Sequence, residues 1–262
     1  AAQYRMPHDV ESFGVGGYPD LERIEGTLGK QRYTHVAVIH HETTTGMLNP
    51  VEEIATLAHA RGAEVLVDAM SSYAGLPIDI EKLGADYLMS SANKCIQGMA
   101  GLAFVIARRS KLEALKPMPG RSLYLDLGTQ HRFFVKSHQM RFTPPVQLVY
   151  ALDQALTEFF AEGQAARWER YLSCFSALDG GVRALGFRRL LPERMLSRIL
   201  TAYLEPDHAR YDYDVMHDHL KQRGYTIYPG KGAKKATFRL ANMGAITPEH
   251  MRGFVSALHE TV

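Results

Sequence analysis

An α/β chain is predicted, with a mainly parallel sheet in a large domain covered by helices and a smaller α+β domain after it. Three observations carry this reading. Short runs that are apolar almost throughout alternate with amphipathic segments over the first hundred residues, the pattern of parallel strands with crossover helices. Helix start and stop residues fall between those runs. Past a long helix the composition shifts to short mixed strands and helices. The large domain is expected over 1–150 and the smaller over 151–262, with the boundary inside that helix near Tyr150.

The chain opens "AAQYRMPHDV", without an initiator methionine, and reads as the tail of an element already begun, as in a processed or truncated N-terminus. The first strand is "THVAVIH", 34–40. "NPVEEIATLAHARG" then predicts a helix with Asn49 as N-cap, Pro50 at the first position and Glu52 completing a capping box. Ile54, Leu57 and Ala58 make its inward face, and Gly62 ends it. "EVLVD", 64–68, is the second strand, "LPIDIEKLGA" a short helix, and "DYLMS", 86–90, the third strand. A fourth is predicted over 101–109. Right-handed crossovers would bring every strand's C-terminal end to one edge.

The second half begins with an amphipathic helix from Val146 to about Gly163, marked by Val149, Leu152, Leu156, Phe159 and Phe160. A further helical stretch runs through "AARWERYLSCFSALDGGVRALG". "ILTAYLEP", "YTIYP" and "TFRLAN" are strands, with a helix around "YDVMHDHLKQRG". Thr247 and Pro248 announce the last helix.

Bulk properties exclude several classes of function. With 46% apolar and 22% charged residues, the 262-residue chain has the make-up of a soluble globular protein with a sizeable core. A net charge of +2 sets up no strong field toward nucleic acid or anionic lipid. The longest apolar run, 102–107, is far short of a membrane span, and no secretory leader is expected. Cys95 and Cys174 form neither a disulfide framework nor a metal knuckle, which suits a reducing cytoplasm. Nor do histidines offer a metal site. "HHE" at 40–42 is not a zinc-protease motif, and in the helical "HDH" at 217–219 positions i and i+2 face apart.

The residues with chemistry collect at the predicted strand ends. Glu42, Thr43 and Thr44 follow the first strand, Asp68 ends the second, and Lys94 follows the third, within "MSSANKCIQGMAG". Ligands of open α/β sheets bind in the crevice at this edge. An amine, a carboxylate and hydroxyls there suit a pyridoxal phosphate site. The lysine bonds the cofactor aldehyde, the carboxylate keeps the pyridine nitrogen protonated, and the freed amine carries a proton.

"HHETTTGMLNPVEEIA", "VDAMSSYAGLPIDIEKLGADYLMSSANKCIQGMAG" and "RFTPP" together resemble the 2-aminoethylphosphonate–pyruvate transaminases, within the class V aminotransferases of the fold-type-I pyridoxal phosphate enzymes. The likeness is specific over 34–109 and looser through "LGFRRLLP" and "GYTIYPGK". It implies that Lys94 is the Schiff-base lysine and Asp68 the partner of the pyridine nitrogen. Thr43 would contact the cofactor ring, Asn93 would help hold the phosphate, and Thr143 would reach the phosphate of a neighbouring subunit in a homodimer. Arg239 would grip the substrate's acidic group. The implied reaction moves the amino group of 2-aminoethylphosphonate to pyruvate, giving phosphonoacetaldehyde and L-alanine.

Two departures stand beside the resemblance. The family's glycine- and hydroxyl-rich phosphate loop has no counterpart, its place lying upstream of Ala1, and "R-F-T-S-P" is "RFTPP" here. Taken singly, Asp68 also reads as a turn residue, Thr43 to Thr45 as turn formers, and Arg239 as a strand-edge arginine paired to an acid. "PGKGAKKATF" reads as a solvated loop in which Lys231 adds to the field drawing in an anionic substrate. Another class V transaminase, a pyridoxal phosphate lyase on a small acidic amine, and an inactive scaffold remain alternatives.

Overall fold

Apolar runs bounded by turn residues become strands, and the level at which those strands end fixes the site. The computed structural model describes residues 1–262 apart from 117–120, 210, 231–235 and 262. Lys231 therefore lies outside the described residues. A 3-10 turn, Ala2–Tyr4, comes first. Helix α1, Leu21–Leu28, which periodicity did not single out, starts where the Asp20 side chain accepts from Arg23 N. Strand β1, His35–Ile39, leads into a hairpin of β2, His41–Glu42, and β3, Met47–Leu48. There follow α2, Val51–Ala60; β4, Glu64–Asp68; α3, Ile80–Leu83; β5, Tyr87–Ser91; and β6, Ala103–Ala107.

Helices α4, Arg109–Ala114, α5, Leu127–Ser137, α6, Val146–Glu162, and α7, Gln164–Ala184, form the middle of the chain. The remainder alternates β7, Arg188–Arg189; β8, Leu200–Leu204; α8, Tyr213–Gln222; β9, Tyr228–Pro229; β10, Thr237–Ala241; and α9, Pro248–His259. The first sheet has the order β1-β4-β5-β6 and the second β7-β8-β10-β9.

β1, β4 and β5 are parallel, in a register that sets Ile39, Asp68 and Met89 side by side. Their C-terminal ends do share one edge. β6 does not follow the rule, because it runs antiparallel to β5, with Ala103 opposite Ser91. Only residues 92–102 separate the two strands, and a parallel return needs a crossover of about a dozen residues or more, usually a helix. The start of β6, not its end, therefore meets the site edge.

Helix α2 covers one face through Val51, Ala55 and Ala58, packed on Val65, Val67 and Leu88. Across the sheet the edge strands stay open, with Ile39 43% and Val105 39% exposed. Asn49 does not cap α2 as expected. Its buried amide donates to Ile39 O at 2.8 Å and Glu42 Oε1 at 3.3 Å, while Pro50 stands at the cap position without a side-chain bond. The asparagine ties the end of β1 to the hairpin, so α2 begins without its predicted capping box. Thr247 behaves as predicted at α9, forming a reciprocal cap with His250 and with Pro248 in the first turn.

Candidate active site

Asp68 is the last residue of β4 and is half-buried. One carboxylate oxygen, Oδ1, accepts from Met70 N at 2.9 Å. That bond makes Asp68 a turn residue as well, but it leaves Oδ2 without a partner among the described residues. Lys94 stands in the turn after β5, exposed, with no hydrogen bond or ion pair to its ammonium among the described residues. Asn93 beside it is also exposed.

The Lys94 turn is wedged under the Asp68 turn by Cys95, which is fully buried. Its thiol donates to Ser71 O at 3.4 Å, and burial pushes the thiol pKa up to about 12, so it stays protonated and unreactive. Close approach at this point requires Gly75, since a Cβ there would lie 2.5 Å from Cys95 Sγ. Arg167 of α7 reaches the same place, donating Nη1 to Cys95 O at 2.7 Å.

Thr43 lies exposed in the hairpin loop between β2 and β3. That loop is pressed against the second sheet. Gly46 has φ +84°, and a Cβ there would sit 2.2 Å from Leu200 O. Arg239, from the centre of the second sheet, sends Nη1 to Thr43 O at 3.0 Å and Nε to Pro229 O at 3.2 Å. Among the described residues it is paired to carbonyls and not to an acid, so its positive charge lies beside the hairpin without a salt bridge there. Arg239 and Thr43 are thus brought together. Thr143 is exposed in the loop before α6 and, among the described residues, makes no hydrogen bond to the other five.

Beneath this surface lie two buried histidines, His40 and His41, whose packing role the sequence does not signal. His40 Nδ1 is 3.0 Å from Ser72 Oγ. His41 contacts Ser71 Oγ through Nδ1 at 3.0 Å and Ser197 Oγ through Nε2 at 2.9 Å. Burial lowers their pKa values to about 4 and about 3, with neighbouring His40 adding to the shift of His41. Both rings are neutral hydrogen-bonding struts. His41 joins the Asp68 turn to the second sheet, a contact between residues 156 positions apart that no local pattern signals.

Chemically the arrangement offers an unclaimed carboxylate oxygen, a free primary amine, a hydroxyl and an unneutralised guanidinium. All are carried by loops at the parallel strand ends or by the neighbouring strand of the second sheet. Among the described residues no cluster of His, Cys, Asp and Glu could hold a metal ion.

Comparison with known proteins agrees with this geometry. Residues 9–221 match the family described as Aminotransferase class-V. A 2-aminoethylphosphonate–pyruvate transaminase of Vibrio cholerae is 44% identical over 95% of this chain, and one of Syntrophobacter fumaroxidans is 47% identical over 95%. The chain spans 68% of the length of each. Among solved structures, alanine–glyoxylate aminotransferase from Nostoc sp. superposes with a TM-score of 0.85 at 24% identity, covering 94% of this chain and 66% of its own. Pyridoxamine–pyruvate aminotransferase from Mesorhizobium loti gives 0.80 at 26% identity, covering 93% and 64%. With most of its length matched by the family and by relatives of this similarity, the chain belongs to the class V aminotransferases.

Proposed function

We propose that the protein is a pyridoxal phosphate-dependent transaminase that moves the amino group of 2-aminoethylphosphonate to pyruvate, giving phosphonoacetaldehyde and L-alanine. The observation that carries the reading is that a Lys94 amine and an Asp68 carboxylate oxygen, both without partners among the described residues, lie at neighbouring parallel strand ends, while Arg239, with no acidic partner among those residues, bonds Thr43 O in the hairpin after β1. The names of the relatives at 44–47% identity supply the substrates.

Pyridoxal phosphate is the cofactor of this family, and the donor set fits it. Asp68 Oδ2 is free to accept from a ring N–H, and Lys94 Nζ is free to bond an aldehyde. When bound, the cofactor draws electrons from the carbon that carries the transferred nitrogen. Asp68 keeps that demand strong by holding a proton on the ring nitrogen. With the cofactor bound, Lys94 Nζ would take the proton from the donor's amine-bearing carbon. Arg239 orients the substrate through its planar fork, which suits phosphonate and carboxylate oxygens alike. In this reading Thr43 would contact the ring and Asn93 the phosphate.

Thr143 fits the same scheme in a homodimer, where it would reach the partner's phosphate. Exposed apolar side chains on α5 and the start of α6, among them Phe134, Val135, Val146 and Tyr150, support that interface. The division at 1–150 and 151–262 and a cytoplasmic setting belong to this proposal too. The setting is supported by two buried, unpaired cysteines, and among the described residues no helix is long and apolar enough to cross a membrane.

The test is a cofactor absorbance titration followed by assays of a panel of amino donors with and without pyruvate. Turnover of 2-aminoethylphosphonate that needs pyruvate is the expected result. Preference for another acidic amine, or product formation without a keto acid, would favour the other transaminase or the lyase.

A further inference from the structure

The turn that carries Lys94 and the strand that carries Arg239 rest on the same helix. Arg167 of α7 is 2% exposed, and besides Cys95 O it binds Glu162 through Nε at 2.6 Å. The ion pair at the α6–α7 junction orients the guanidinium that grips the residue next to Lys94. One helical turn on, Tyr171 is fully buried. Its hydroxyl accepts from Gln97 Nε2 at 2.9 Å and from Gly244 N at 3.1 Å, and its carbonyl accepts from Asn242 Nδ2 at 2.9 Å. Gln97 closes the lysine turn, with Gln97 N on Lys94 O at 2.9 Å and a left-handed φ of +68°. A residue other than glycine holds that conformation only when its surroundings fix it. Asn242 and Gly244 follow directly on β10, three and five positions beyond Arg239.

Arg167 and Tyr171 are four apart on α7 and so lie on one face. That face holds two segments from different sheets by hydrogen bonds, besides the packing of Tyr171 with Cys95, Ile96 and Met243. We propose that Arg167 and Tyr171 are positioning residues that lock the Lys94 turn and the Arg239 strand to one helix face, and so set the amine-to-guanidinium separation a substrate must span. The residues thereby act as determinants of substrate length. This rests on the transaminase reading for its substrates, but its structural half does not. A tyrosine hydroxyl serving two segments is a common anchor, so its loss should loosen both together and leave the rest of the first sheet alone.

Tyr171→Phe removes only the hydroxyl and is the main variant. Hydrogen exchange of the protein, without added cofactor, is read by mass spectrometry on peptides covering 92–98, 242–246 and 64–68. Exchange in the first two should rise by about fivefold, the scale of one net hydrogen bond, with 64–68 unchanged. In turnover, the kcat/KM ratio of 2-aminoethylphosphonate over 3-aminopropylphosphonate should fall about tenfold, because small displacements at a reacting centre are costly. Arg167→Lys keeps a cation for Glu162 but loses the fork, and should shift the same ratio in the same direction. Should Arg167→Lys fail to fold, Tyr171→Phe alone decides. The proposal is overturned if exchange is unchanged or rises equally in all three peptides, or if the length ratio stays at its wild-type value. If the wild-type protein turns over neither phosphonate, the 2-aminoethylphosphonate reading falls, and the exchange data still decide whether α7 locks the two segments.

Discussion

Lys94 stands out in the sequence because an exposed turn lysine has no need of small neighbours on both sides, and in the structure because no described residue pairs with its ammonium. Lys94→Ala should abolish covalent attachment of pyridoxal phosphate, scored by borohydride trapping and mass spectrometry; trapped cofactor at wild-type occupancy would contradict the assignment. Asp68→Asn separates the two roles of that side chain. The amide oxygen can still accept from Met70 N, so the turn and the melting temperature should be nearly unchanged. A charge-assisted hydrogen bond is worth about 1.5–3 kcal/mol, so kcat should fall by roughly ten- to a hundred-fold. A loss below about twofold would leave Asp68 as a turn residue only. For Arg239→Lys, one ammonium cannot hold Thr43 O, Pro229 O and an acid group together. KM for phosphonate donors should rise far more than that for an uncharged amine. Equal changes would mark a structural arginine.

At the scale of elements, parallel strands β1, β4 and β5, the short helix α3 and the Thr247 cap of α9 were legible, because each is marked by its own run of residues, apolar for the strands and punctuated for the helices. Misreadings came where a side chain had a distant competitor. Asn49 has the right identity for an N-cap, but the carbonyl of Ile39 ten residues earlier claims its amide. The direction of β6 follows from a short connection that an apolar run does not reveal. Cys95 could be read as a packed residue, but the need for Gly75 beside it could not. Gly75→Ala forces a methyl against Cys95 Sγ and should cost about 1–3 kcal/mol, lowering the melting temperature by roughly 2–10 °C. Adding Cys95→Ala removes the sulfur and should recover part of that loss. Additive losses in the double variant would argue that the two sites are not in contact.

The whole molecule depends on how the two sheets meet, and that junction was invisible in the sequence, since its bonds link residues 156 and 196 positions apart. Two of its members titrate. An unfolded histidine has a pKa of about 6.5, whereas folded His40 and His41 are lowered to about 4 and about 3. Above about pH 6.5 both rings are neutral folded or unfolded, and their contribution is fully present. As pH falls below that value the unfolded chain binds protons that the folded protein refuses, so stability drains away until the folded pKa values are reached. Each ring contributes a slope approaching about 1.4 kcal/mol per pH unit. The denaturation midpoint in urea should therefore drop steeply between about pH 6.5 and about pH 5, a range above the usual carboxylate titrations. His41→Gln puts a neutral amide between Ser71 and Ser197. It should lower stability near neutral pH while removing about half of the acid slope, whereas His40→Gln should remove the other half. Parallel pH profiles for wild type and His41→Gln would show that the folded ring binds its proton as readily as the unfolded one, so that burial does not hold it neutral in acid.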